Sequence, residues 1–334
     1  MKPGPRNSLT DVAGLRVGQA TDAALKSGVS IVCGAAPFTA SYAVMGGAPG
    51  TRETDLLEPD KSAPGVDAIV LSGGSAFGLD AATGVVAALR EMGRGFEVGP
   101  VRVPIVPAAI IFDLLTGGAK DWAESPYPAL GRAAMADLSD SVEIGSTGAG
   151  TGACTGRMKG GTGTASLDIG GGITVAALMI ANPVGSPCTP GDRHFWAAPF
   201  EIAGEFGGLG PDKATGLVVP QDNLKFTAFT RQANTTIGVV ATNAALTKAQ
   251  AKRLATAAHD GIARAIVPAH SPSDGDLIFA AATGGEGAAA PETLAAICEA
   301  GAHCVARAIA RGVHAARPAQ GDILPTWSLL NGSA

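Results

Sequence analysis

Apolar runs separated by glycine- and proline-rich turns divide the chain, and strand-like and helix-like periodicities alternate along it. Residues 9–20 alternate loosely and predict an opening strand, with residues 28–33 as a second. Residues 46–52 are a glycine-proline loop. Residues 66–72 predict a buried strand, which runs through a glycine turn at 73–79 into a helix from Asp80 to about Met92. Residues 103–114 read as strand-like and 127–136 as a helix. Residues 173–182 predict a buried strand that ends on Asn182, just before Pro183. Residues 186–233 are turn-rich and aperiodic, the pattern of a surface linker. Residues 237–243 are small and β-branched and predict a short buried strand. From 246 to 267, Leu254, Ala257, Ala258 and Ile262 mark one face of a long helix, with Lys248, Lys252 and Arg253 outside it and Pro268 at its end. A tight turn at 274–276 then leads into a strand to 281, an alanine-rich helix follows over 291–312, and the tail to 334 reads as a loop.

Composition narrows the class. At 334 residues the chain allows one large domain or two small ones with ample core. Charged residues make up 16% and hydrophobic ones 46%, the balance of a compact body with much of its surface buried against other subunits. A net charge of −5 argues against a nucleic-acid partner, which would require a basic face. The longest apolar runs, 103–112 and 173–181, are broken by proline or too short to span a bilayer. Residues 1–8 lack the apolar core of a signal peptide, and the five cysteines contain no CxxC pair. A cytoplasmic location without a membrane partner is the expectation. The five histidines fall at no metal-ligand spacing, and none is given a catalytic role.

The chemistry concentrates where the polar stretch 231–234 meets the strand at 237. Thr235 and Thr236 sit at that junction, and a hydroxyl at the mouth of a buried strand is held rigidly, as a nucleophile needs. Threonine becomes a nucleophile beside a base, and one such base is its own α-amine, freed by cutting the chain before it. The plainer reading is that both threonines merely begin a strand. Lys159 lies in the glycine-dense region 145–172 and is either a solvated charge or a site residue. Asn182 is either an ordinary Asn-Pro turn or an amide donor to a developing oxyanion. Asp274 and Asp276 form a solvated turn or a pair that orients protons; without a third acid or a His pair they are weak metal ligands. The glycine turn at 73–79 fits neither a dinucleotide fingerprint nor a P-loop and is better read as a substrate wall.

Seven segments occur in the order of a known family: residues 7–18 (NSLTDVAGLRVG), 46–55 (GGAPGTRETD), 148–152 (GAGTG), 159–166 (KGGTGTAS), 182–185 (NPVG), 234–236 (NTT) and 274–276 (DGD). In these the chain resembles the self-cleaving hydrolases that include L-aminopeptidase/D-esterase enzymes, β-peptidyl aminopeptidases and nylon-oligomer hydrolases. Asn234-Thr235-Thr236 is similar to the threonine branch, the 6-aminohexanoate-oligomer endohydrolases, which are cut between Asn and Thr. The resemblance implies an α+β fold, a four-layer αββα sandwich of the N-terminal-nucleophile type. It implies a single domain, autocleaved into residues 1–234 and 235–334, whose fragments remain partners in a homotetramer or larger ring. It also implies roles. Thr235 attacks an amide or peptide substrate and its freed amine is the base; Lys159 tunes that amine; Asn182 holds the oxyanion; Asp274 and Asp276 orient the nucleophile. No metal or organic cofactor is implied. Relatives of the nylon type can carry a tyrosine where this chain has Phe77, which offers no hydroxyl to a substrate. An aminopeptidase is the alternative, with Glu53 or Asp55 gripping the substrate's ammonium. An acyltransferase, or an oligomeric binding protein that never cuts, are further alternatives.

Overall fold

The computed structural model describes residues 1–214, 223–228 and 234–332. Its organising strand is β2 (Ser27–Val44), 18 residues long. The first half of β2 pairs antiparallel with β1 (Leu15–Asp22) and with β4 (Val66–Ser72); β7 (Ala108–Ile110) and then β3 (Thr51–Arg52) extend that sheet. After an irregularity between Cys33 and Phe38, the second half pairs with β11 (Leu277–Ala282). From β11 the sheet continues through β10 (Thr235–Thr242) and β9 (Ile173–Asn182) to β8 (Gly161–Gly170). One strand thus serves two sheets. The remaining pair, β5 (Phe96–Val98) and β6 (Val101–Val103), is a separate exposed hairpin.

Successive side chains on a strand point to opposite faces, and here both faces are covered. Ala176, Leu178 and Ile180 of β9, Ile237 and Val239 of β10 and Phe279 of β11 pack against Val32, Ile69 and Leu71 of the other sheet. Burying a side chain the size of Phe279 contributes roughly 2–3 kcal/mol. Val175, Ala177, Met179 and Ala181 of β9 face α4 (Lys248–Ala265) and α5 (Pro291–His314) instead. On the far side, α1 (Ala81–Glu91) and α2 (Tyr127–Ala136) pack on Val29, Ile31 and Val70 through residues such as Val85 and Leu89. Helix, sheet, sheet, helix is the expected four-layer order. Double coverage also explains why these strands read as unbroken apolar runs, not as alternating ones. By length and composition α5 could cross a membrane, yet Ile297, Cys304, Val305, Ile309 and Val313 are buried in the core beneath it.

Three expectations need correction. The strand-like stretch 103–114 holds only the end of β6 and the three-residue β7, because Pro104 and Pro107 cannot donate to a ladder. The stretch 186–233 is not a surface linker over its described part. Cys188, Phe195, Ala197 and Phe206 are buried against α4, α5 and Trp327, and residues 224–228 form a short helix, α3 (Leu224–Ala228). Irregular backbone hid that core contribution from a periodicity test. The C-terminal tail is not all loop, since α6 (Trp327–Asn331) is capped by the Thr326 hydroxyl and buries Trp327.

Candidate active site

In the uncut chain, β10 begins at Thr235 and runs antiparallel to β9, with Thr235 directly opposite Asn182. By strand parity Thr235 shares the face of Ile237, Val239 and Ala241, and Asn182 that of Leu178 and Ile180. Both side chains therefore point into the space between the sheets, at the end of neighbouring strands, where opposed Cβ atoms stand about 4.5–5.5 Å apart. Thr236 faces the helix layer instead. Its buried hydroxyl has no hydrogen-bond partner among the described residues. Of the two threonines at the junction, only Thr235 shares a face with the amide across the ladder.

The Asp274-Gly275-Asp276 turn closes the third side. Asn234 bridges Asp274 in parallel, and the Gly275 N–H donates to the Asn234 carbonyl oxygen at 3.1 Å. The Thr235 hydroxyl donates to that same oxygen. A side chain at position 275 would bring its Cβ to 2.6 Å from Thr235 Oγ1, so glycine is what lets the turn approach. Both carboxylates are fully buried. Asp276 Oδ1 accepts from the Thr236 N–H at 2.7 Å, and its Oδ2 accepts from His270 Nδ1 at 2.8 Å. Asp274 accepts from the Val184 N–H at 2.9 Å and from the Ser271 hydroxyl at 2.6 Å. Burial, and next the charge of Asp276, push the Asp274 carboxyl above its ordinary range. Burial is the largest single influence and disfavours a charged His270, but the bond to Asp276, its charge and the smaller interactions beside them together raise the imidazole. Neither carboxylate bonds the Thr235 hydroxyl. They fix the backbone and strands on either side of it.

Asn182 is also fully buried. Its Oδ1 accepts from the Cys154 N–H at 2.9 Å and from Lys225 Nζ at 3.0 Å, and its Nδ2 donates to the Phe112 carbonyl at 3.3 Å. The Cys154 thiol beside it is pushed up to about 11 by burial, so it is a neutral thiol and not a nucleophilic thiolate. Lys159 is buried, and its Nζ donates to Asp322 Oδ2 at 2.8 Å and to the Arg317 carbonyl at 3.0 Å. No hydrogen bond joins it to Thr235 in the uncut chain. Phe77 is half exposed and stands edge-on to Trp122 at 5.1 Å. Glu53 and Asp55 are exposed, flank the start of a short turn after β3, and bond neither Thr235 nor Asn182.

Thr235, Asn182 and the two aspartates are thus brought together, while Lys159, Phe77, Glu53 and Asp55 make no hydrogen bond to them. Sequence reasoning missed Lys225, His270 and Ser271. A signal existed for His270 and Ser271, four and three residues before Asp274 in the same turn-rich run. Lys225, between Leu224 and Phe226, gave none beyond an apolar setting.

The sequence pattern described as Peptidase family S58 matches residues 7–323. The chain belongs to this family. Within it, an uncharacterized aminopeptidase of Mycobacterium tuberculosis is 43% identical over 340 residues, covering 96% of this chain and 97% of its own length. A 6-aminohexanoate-oligomer endohydrolase of a Kocuria species is 29% identical over 225 residues, covering 65% of this chain and 60% of its own. The solved structure of the L-aminopeptidase D-Ala-esterase/amidase from Ochrobactrum anthropi superposes with a TM-score of 0.71 at 22% identity, over 97% of this chain and 91% of that one. That likeness establishes the fold, a variant of the N-terminal-nucleophile hydrolase fold. Membership of the S58 family makes the protein a hydrolase of amide or peptide bonds.

Proposed function

We propose that the protein is a self-processing amide hydrolase whose nucleophile is Thr235. The observation that carries this is the junction itself. The Thr235 hydroxyl lies against the Asn234 carbonyl, whose oxygen also accepts the Gly275 N–H. In processing, Thr235 Oγ adds to the Asn234 carbonyl carbon, and the Gly275 N–H stabilises the oxyanion. The C–N bond breaks, the hydroxyl proton passes to the Thr235 nitrogen, and an ester joins Asn234 to Oγ. Water hydrolyses that ester and leaves Thr235 with a free α-amine. In turnover the amine takes the hydroxyl proton as Oγ attacks the substrate amide, and Asn182 Nδ2 donates to the new oxyanion. The amide C–N bond breaks as that proton passes to the leaving amine, and water hydrolyses the acyl-enzyme ester. Lys159 would favour the neutral amine by its charge, since a nearby cation disfavours a second one. Neither step calls for a metal or organic cofactor.

Purified wild-type protein should run as two bands on a denaturing gel, the smaller beginning Thr-Thr-Ile-Gly. Thr235→Ala should remain one folded chain and lose activity by about 10³-fold or more. A fragment beginning at Thr236, or a cut Thr235→Ala chain, would overturn this assignment of the nucleophile.

For the substrate we propose linear amides of the 6-aminohexanoate-oligomer type, cut without need of a free terminus. The Asn-Thr-Thr junction supports this, and so do the carboxylates beside Thr235. Each oxygen of Asp274 and Asp276 already accepts a protein N–H or O–H, so both carboxylates hold the turn and the start of β10 and neither stands as an unpartnered acid for an ammonium group. Aminopeptidase action is the second reading, favoured by the relative that is 43% identical. Free and N-acetylated oligomers separate the two. A desolvated charge pair is worth roughly 2–5 kcal/mol, so an aminopeptidase should lose at least about thirtyfold in kcat/KM on acetylation. An endo-acting amidase should be nearly indifferent. A large loss on acetylation, with fast release of an amino-acid p-nitroanilide, would assign the protein to the aminopeptidases. Assembly into tetramers of the cut unit and a cytoplasmic location complete the proposal.

A further inference from the structure

Lys225 lies ten residues before the proposed cut and is fully buried. Its ammonium has three protons and meets three acceptors: the Cys154 carbonyl at 2.6 Å, the Asn182 carbonyl at 3.1 Å and Asn182 Oδ1 at 3.0 Å. No carboxylate among the described residues hydrogen-bonds it. The segment that carries it is seated by its backbone as well. The Lys225 N–H donates to the Gly156 carbonyl, and Asn223 Nδ2 donates to the Val184 carbonyl at 2.8 Å. At Gly156 an added Cβ would fall 2.4 Å from that Val184 oxygen and 3.2 Å from Asn223 Nδ2, so the seat closes around a glycine.

The consequence falls on Asn182. A side-chain amide can turn over and exchange its oxygen for its nitrogen, and then it would offer a reacting carbonyl oxygen an acceptor, not a donor. Here both partners of the oxygen end, the Cys154 N–H and the Lys225 ammonium, can only donate. The Phe112 carbonyl at the other end can only accept. The amide therefore has one orientation, with Nδ2 turned away from Lys225 and its second proton without a partner among the described residues.

We propose that Lys225 is a positioning residue for the oxyanion donor. It locks Asn182 with Nδ2 available to the reacting carbonyl, and it does so from the segment that becomes the tail of the first fragment after cutting. The proposal rests on the reading of Thr235 and Asn182 given above.

The test is a double-mutant cycle in the full-length chain, combining Lys225→Met with Asn182→Ala. On the cut enzyme Lys225→Met should lower kcat by about 10-fold to 100-fold with KM within about twofold, since a misoriented donor fails only in the transition state. In the Asn182→Ala background the same change should alter kcat by less than about twofold, because nothing is left to position. A residue that merely supports the fold would lower both backgrounds alike. Full kcat in Lys225→Met, or an additive loss in the double variant, overturns the proposal. If Lys225→Met does not fold, Lys225→Gln, which keeps a donor on a shorter stem, carries the same cycle. A second readout does not depend on turnover. In the uncut Thr235→Ala chain, the Asn182 side-chain amide resonances should shift on Lys225→Met and should not if Lys225 leaves Asn182 free. Loss of coupling with an intact Thr235 result removes Lys225 alone; an active Thr235→Ala chain removes the nucleophile and leaves the resonance test standing.

Discussion

Two buried lysines meet the same short loop, residues 154–159, and they are held in opposite ways. Lys159, at one end of it, forms an ion pair with Asp322, which also accepts from Lys26 at 2.7 Å. Burial works against a charged Asp322, but the bonds from Lys159 and Lys26 win and hold its carboxyl below the ordinary range. Lys225, against the other end, has among the described residues the neutral oxygens of Cys154 and Asn182 as its hydrogen-bond partners. Burial lowers its ammonium to about 8, with the charge of Asp274 opposing. The first arrangement compensates a buried charge with a charge. The second compensates it with directed bonds alone, which fix geometry at a cost in stability. Such a cost is tolerated where placement matters more than strength, and here the placed group is the amide opposite Thr235.

The largest effect should come from the Lys225 side. Asn182→Ala removes the group this lysine holds and should lower kcat by roughly 10² to 10³-fold, as loss of one oxyanion donor does. Fragments must be checked on a gel first, because slower cutting would mimic slower turnover. Near-wild-type kcat in fully cut protein would erase the distinction between the two regions.

On the Lys159 side the readout is stability. Asp322→Asn strands two ammonium groups that are only 5% and 11% exposed and should cost about 3 kcal/mol by denaturant titration. Adding Lys159→Met should recover part of that loss, since removing both buried charges costs less than removing one. A double variant less stable than the single one would mean that Lys159 contributes packing, not charge.

The smallest effect is in the pH dependence. Lys225 titrates near 8 when folded and near 10.5 when unfolded, so the folded state carries a penalty for its charge below about pH 8. That penalty fades as pH rises from about 8 to 10.5. Relative to Lys225→Met, in the uncut Thr235→Ala background, the parent chain should therefore gain on the order of 2 kcal/mol across that window. Parallel stability curves would show that the ammonium is compensated as fully as that of Lys159.

The strands and helices were legible because they differ in period and are bounded by glycine and proline; their stacking into four layers was implied by the family resemblance. The helix 127–136 and the strand ending at Asn182 coincide with the observed elements. Thr235, Asn182, Asp274 and Asp276 were legible through short motifs at strand ends. What stayed hidden depends on contacts between distant residues. Nothing in residues 186–206 announces that Phe195 stacks on Trp327, and nothing near Lys225 announces that it reaches Asn182 across 43 positions. The orientation of an amide is a property of its partners. No local pattern around Asn182 encodes it.

The order of strands has a further consequence. β10 and β11 lie between β9 on one side and β2 on the other. A cut before Thr235 would give the two middle strands to one polypeptide and both flanking strands to the other. The pieces would then share no surface that could open by itself, because parting them means tearing two backbone ladders along with the core beneath. Dilution should not dissociate such a pair as it does ordinary subunits. Its lifetime would be that of the folded state, set by the rate at which the whole sheet unfolds.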